Sequence, residues 1–167
     1  MKRNRTAYSV ALGGILAALA VVIMCLGGLI PVATFVCPAL CMLLLKVVCG
    51  SGGSRMGWAW YGAVSILCAL MGPDKEAAAV FVFLGYYPIV KPRMDRLPIS
   101  WLWKLVLFNG AVLLMYTLLL HIFGMAQLVG EFEEMGAVLL IVTLLLGNVT
   151  FFLLDRLLSM KVGKKHE

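Results

Sequence analysis

The chain has 167 residues, 63% hydrophobic and 13% charged, with a mean hydropathy of +1.02 and a formal net charge of +6. A soluble domain is about half apolar and about a quarter charged. The composition therefore excludes a soluble fold and predicts an integral membrane protein with little mass outside the bilayer. The whole chain, 1–167, reads as one all-α membrane domain.

A bilayer core about 30 Å thick requires roughly 20 apolar residues per spanning helix. The N-terminus, MKRNRTAYSVALGG, imitates a signal peptide, a basic segment followed by an apolar run. Its apolar run is long enough to span, so it is read as a retained first helix, about Ala7–Leu29, ended by Pro31. The second span is about Ala33–Cys49, followed by the Gly-rich linker 50–54. The third is about Trp58–Met71, and GPDKE follows it. The fourth is about Ala77–Val90, closed by Lys91 and Pro92. The basic loop KPRMDRLP leads to the fifth, about Trp101–Phe123, and the sixth is about Met135–Leu154. The expected fold is a polytopic six-transmembrane-helix bundle.

Charge placement orients it. With six spans, all but Lys75 of the 14 lysines and arginines fall on the side that holds both termini. Cytoplasmic loops carry the Lys/Arg excess, so both termini are expected in the cytoplasm. A five-span reading scatters the cations over both sides. All four tryptophans, Trp58, Trp60, Trp101 and Trp103, fall at the cytoplasmic helix ends, as an interfacial belt does. The outer loops, GGLIPVAT, GPDKE and GMAQLVGEFEE, carry five carboxylates and one lysine.

GPDKE is the informative outer loop. The third and fourth spans have about 14 apolar residues each, so each helix covers about 21 Å, less than the hydrocarbon core. The turn is expected to lie below the outer lipid surface, where charges face protein or a water-filled cavity. Asp74, Lys75 and Glu76 are thus candidates to line a substrate pocket open to the outside. A local reading is compatible with this one. Gly72 can end the third helix, Asp74 can cap the fourth, and Glu76 suits the positive end of its dipole. His121, near the outer end of the fifth span, can reach the same pocket.

Two amides lie deep. Asn109 is about 12 Å in from Trp101, and Asn148 about 10 Å in from Asp155. On antiparallel neighbours they are level, and an interhelical polar contact between them is expected. On the first helix, Ala7, Ala11, Gly14 and Ala18 line one face, and Gly13, Ala17 and Ala20 an adjoining one. Small residues let helices approach closely in lipid, within the bundle or against another membrane protein. The cysteines Cys25, Cys37, Cys41, Cys49 and Cys68 form no CxxC pair and read as small buried apolar residues. No HExxH, GxSxG or GxxxxGK[ST] is present. No catalytic, metal or cofactor site is assigned, and no nucleic-acid partner is expected. The basic tail, Lys161–His166, suits anionic membrane lipid.

The six spans, the cytoplasmic termini and the small-residue first helix together resemble the substrate-binding S components of energy-coupling factor (ECF) transporters. The likeness is architectural and covers the whole chain. In that family an AxxxA face of the first helix meets the transmembrane coupling subunit. Here Ala7 and Ala11 fit it, and Gly14 with Ala18 fit with glycine substituted. The resemblance implies a multi-pass protein of a bacterial cell membrane that binds a vitamin-like solute outside and is not an enzyme. It also implies a coupling subunit and cytoplasmic ATPases as partners. Two other readings stay open: an accessory or assembly membrane protein, and an intramembrane enzyme using the outer carboxylates on a lipid-linked substrate.

Overall fold

The computed structural model describes residues 2–27, 33–96, 98–121 and 126–159. Every regular element among them is helical: α1 (Lys2–Gly27), α2 (Ala33–Met71), α3 (Lys75–Leu84), α4 (Tyr87–Met94), α5 (Ser100–His121) and α6 (Ala126–Ser159). Among the described residues three segments are long and apolar enough to cross a membrane by length and composition: Thr6–Gly27, Thr34–Met71 and Ser100–Leu118.

The 39 residues of α2 are not one rod. A straight helix of that length would run roughly 58 Å. Yet Thr34 near its start donates from Oγ1 to Asp74 Oδ2, just past its end, at 2.9 Å. The element doubles back at Gly53, whose φ of 78° and ψ of 178° leave helical geometry. That region is open in practice only to glycine. The two apolar runs expected as separate spans are therefore antiparallel arms of one hairpin. The expected linker at 50–54 is a correction: helix continues on both sides of Gly53. The arms close tightly, since a Cβ at Gly57 would stand 2.4 Å from Cys49 Sγ.

α1 packs along the first arm and clamps the turn. Ser9 Oγ donates to Ser51 O at 2.9 Å, and Trp60 Nε1 donates to Gly13 O at 3.0 Å. Gly13 is buried here, and a Cβ there would meet Met56 Cε at 2.5 Å. Further along, Cys41 Sγ reaches Ala20 O at 3.6 Å.

The expected fourth span, 77–90, is broken in two at Gly85–Tyr86. The cause is local. Pro88 lacks an N–H and so cannot continue the ladder back to the Leu84 carbonyl, and the helix restarts with proline in its first turn. The break frees carbonyls inside an apolar bundle, and the Tyr61 hydroxyl satisfies one of them by donating to Val82 O. The last element also differs from expectation. The segment 124–134, read as an outer loop, is helical from Ala126 onward. Its Ala, Gln, Leu, Glu and Met are good helix formers and no proline interrupts them. About nine residues, or roughly 13 Å of helix, therefore precede the expected start at Met135.

α5 and α6 are antiparallel, because Asn109 meets Asn148 while Lys104 meets Asp155. The core runs through all the helices. Met24, Leu45, Val48, Val64, Phe81, Tyr87 and Met115 are essentially inaccessible. Large apolar side chains also face outward along the bundle, Ile15, Leu70, Trp101 and Leu145 among them. That is the surface a lipid solvent requires. The two ends differ in charge. Thr34, Asp74, Glu76 and Tyr116 gather at one end, and Lys91, Asp95, Lys104 and Asp155 at the other.

Candidate functional site

At the acidic end, Asp74 caps α3. Its Oδ1 accepts from the Ala77 N–H at 3.0 Å, and its Oδ2 accepts the Thr34 hydroxyl. One carboxylate thereby satisfies an orphan helix donor and ties the start of the first arm of α2 to α3. Glu76, half-buried in the first turn of α3, accepts from Tyr116 Oη on α5 at 2.7 Å. Lys75 is exposed and folds back to donate to Ala69 O at 3.0 Å, quenching a carbonyl of the hairpin's final turn. His121 is the last residue of α5, and its side chain lies outside the described residues. So do the side chains of Glu131, Glu133 and Glu134, on which the enzymatic reading depends.

Below this end lies an apolar cavity of about 40 Å³, walled by the first arm of α2 (Phe35, Met42), α3 (Val80), α5 (Val112, Met115) and α6 (Leu144, Phe151), among others. Phe35 and Met115 are sequence neighbours of Thr34 and Tyr116, and Val80 is one helical turn past Glu76. The cavity thus begins about one turn beneath the two polar bridges. None of Asp74, Lys75 and Glu76 lines it.

Deeper, Asn109 and Asn148 exchange two hydrogen bonds. Asn109 Nδ2 donates to Asn148 Oδ1 at 3.2 Å, and Asn148 Nδ2 donates to Asn109 Oδ1 at 3.0 Å. Each amide also donates to a carbonyl of the preceding turn. The pair is self-contained and fixes the register of α5 on α6.

The basic end holds an ionic cluster that single-residue reasoning passed over. Lys91 on α4 is 6% exposed and donates to Asp155 on α6. The fully buried Tyr87 donates its hydroxyl to the same carboxylate oxygen. Lys104 on α5 bridges Asp155 at 3.3 Å and also pairs with Asp95, which lies 3.7 Å from Lys91. Two ammoniums and two carboxylates interlock three helices. Asp155 stands one residue beyond the sixth expected span. Burial alone would raise its carboxyl pKa. The hydrogen bonds from Lys91 and Tyr87, with both ammonium charges, outweigh that and hold it below the ordinary value. One signal was visible in the sequence: Lys91 and Asp95 are four apart on a helix. Tyr87 and Asp155 are 68 residues apart, and no local pattern joins them.

The two small-residue faces of α1 have separate fates. Gly13 and Ala20 are buried and Ala17 is partly buried, whereas Ala7, Ala11, Gly14 and Ala18 are all exposed. Nothing comes within 4 Å of a Cβ placed at Gly14. Among the described residues no three histidine, cysteine or carboxylate side chains gather as a metal-donor set. Set beside protein-family models, curated proteins and solved structures, the chain matches none of them.

Proposed function

We propose that this chain is a membrane-embedded binding and uptake subunit for a small, vitamin-like solute, working with an ATP-driven partner module. In this reading the bundle crosses the membrane six times, both termini are cytoplasmic, and the acidic end faces outward. The observation that carries the reading is the apolar cavity beneath the Glu76–Tyr116 and Thr34–Asp74 bridges. An apolar hollow with a few convergent polar groups at its mouth is the usual form of a small-molecule site. Glu76 and Tyr116 supply an acceptor and a hydroxyl for a solute's polar edge. The walls receive its apolar body. At about 40 Å³ the cavity is closed down, so the helices around it must part to admit a vitamin-sized molecule. The free face Ala7, Ala11, Gly14 and Ala18 is the expected contact for a transmembrane coupling subunit, with cytoplasmic ATPases beyond it.

The small size of the cavity favours a second reading, an accessory or assembly membrane protein that docks through α1 and carries no solute. Equilibrium binding of purified protein to a panel of vitamins separates the two. The uptake reading expects at least one ligand to bind, with Glu76→Gln and Tyr116→Phe weakening it while the melting temperature holds. Absence of binding across the panel at high micromolar concentration overturns it.

A further inference from the structure

A second hollow lies at the opposite end of the molecule, between the start of α5 and the end of α6. It is a lateral cleft of about 160 Å³. Ser100, Lys104 and Asp155 line its polar part, and Trp101, Leu105 and Phe152 its apolar part. Trp101 and Phe152 are 64% and 59% exposed, so the cleft opens sideways onto the apolar surface. Its polar part sits at helix ends: Ser100 is the first residue of α5, and Asp155 is four residues from the end of α6. A tryptophan at such a level is what a lipid–water interface selects.

The cations at this end divide by type. Lys91 and Lys104 are internal and paired. Arg55, Arg93, Arg96 and Arg156 are all exposed. Among the described residues none of these arginines forms an ion pair, since the salt bridges found there all involve Lys91 or Lys104. Arg156 stands one helical turn beyond Phe152 on the same stripe of α6, and Arg96 lies in the turn four residues before Ser100, so both flank the mouth of the cleft without lining it. Around the mouth, Lys91, Arg96, Lys104 and Arg156 stand against Asp95 and Asp155, leaving two positive charges in excess. A guanidinium binds a phosphodiester with two parallel hydrogen bonds, which an ammonium cannot do.

We propose that the α5–α6 cleft holds one anionic phospholipid of the adjoining leaflet. Its phosphodiester lies at Arg96, Arg156 and the Ser100 hydroxyl, and one acyl chain runs along Leu105 and Phe152 under the Trp101 ring. The occupant is a whole lipid because the apolar half of the cleft continues onto a lipid-facing surface. A free anion has no use for that half. The net charge of the mouth selects an anionic headgroup over a zwitterionic one. The inference does not depend on any solute at the other end.

The test uses the full chain in mixed micelles with equal parts phosphatidylglycerol and phosphatidylcholine. Retained lipid is read by native mass spectrometry. The expected result is one phosphatidylglycerol retained in clear preference. The double variant Arg96→Gln/Arg156→Gln should weaken retention at least about tenfold, since it removes charge-assisted hydrogen bonds. Arg55→Gln/Arg93→Gln removes the same charge from the same end but not from the cleft, and should leave retention within about twofold. Equal retention of both lipids, or equal loss in the two double variants, overturns the proposal in favour of the general field of the basic end. Displacement of the lipid by millimolar inorganic phosphate also overturns it, in favour of a free-anion site. The comparison between lipids needs no variant and holds even if a double variant fails to fold.

Discussion

Replacing Asp155 with leucine tests how the basic end is held together. The carboxylate accepts from Tyr87, Lys91 and Lys104 at once. Its loss strands the Tyr87 hydroxyl, which is 0% exposed, and an orphaned buried donor costs about 1–3 kcal/mol. The loss also leaves the Lys91 ammonium, 6% exposed, with only Asp95 at 3.7 Å. Breaking a buried ion pair by removing one partner costs about 3–5 kcal/mol. Here Asp95 retains part of the pairing, and Asp155 itself is 23% exposed, so the lower part of that range applies. The sum is about 4–6 kcal/mol, or roughly 10–20 °C in melting temperature for a chain of this size. A thiol-reactive dye reads the transition directly, because Cys41 and Cys68 are buried at 0% and 1% exposure. The matching variant Lys91→Met costs less, because Asp155 keeps Tyr87 and Lys104 and no hydroxyl is stranded. The double variant Lys91→Met/Asp155→Leu recovers the ion-pair part of the loss, because Lys104 keeps Asp95 and no uncompensated charge remains, while the Tyr87 hydroxyl stays stranded. Costs that simply add in the double variant, or an Asp155→Leu that melts with the parent protein, would refute the argument that these groups act as one unit.

Three further outcomes follow from the same geometry. Gly53→Ala places a Cβ at φ 78° and ψ 178° and should cost about 1–3 kcal/mol, seen as a lower dye-detected melting temperature; an unchanged value means the turn relaxes. Asp74→Ala removes the cap on α3 and the tether to Thr34 and should cost about 1–2 kcal/mol, with Asp74→Asn losing less than half of that. Acidification tests Asp155 again. Its folded-state pKa is depressed, so its stabilisation is complete above the unfolded value, about 4, and is lost as pH falls through the lower folded value. The melting temperature of the parent should fall across that window, and that of Asp155→Asn should fall less.

The all-helical class is legible in the sequence, because its apolar runs are continuous and lack the apolar–polar alternation of barrel strands. The capping role of Asp74 is legible too, since it depends only on residues three positions apart. The break at Gly85–Tyr86 carried a sign in Pro88, but a continuous apolar run masked it. The helical start of α6 was missed because glycine and adjacent glutamates were taken for loop, although each is tolerated in the first turns of a helix. The partners of Glu76 and Asp155 were out of reach for a different reason. Tyr116 lies 40 residues from Glu76, and Tyr87 lies 68 from Asp155. Such pairs are set by which helices become neighbours, and hydropathy along one chain does not encode that. Lys75 shows the converse. Its charge suggested a pocket, but its long stem lets the ammonium fold back onto a helix-terminal carbonyl at the surface.

Capture of a solute from outside requires the Asp74–Glu76 end of the bundle to face outward. Single cysteines at Lys75 and Ser51, in a background where the five native cysteines are replaced, answer this with a membrane-impermeant maleimide on intact cells. The expected result is labelling of Lys75→Cys on intact cells and of Ser51→Cys only after permeabilisation. The reverse pattern, or labelling of both on intact cells, contradicts the orientation, and with it the proposal of an outward-facing receptor.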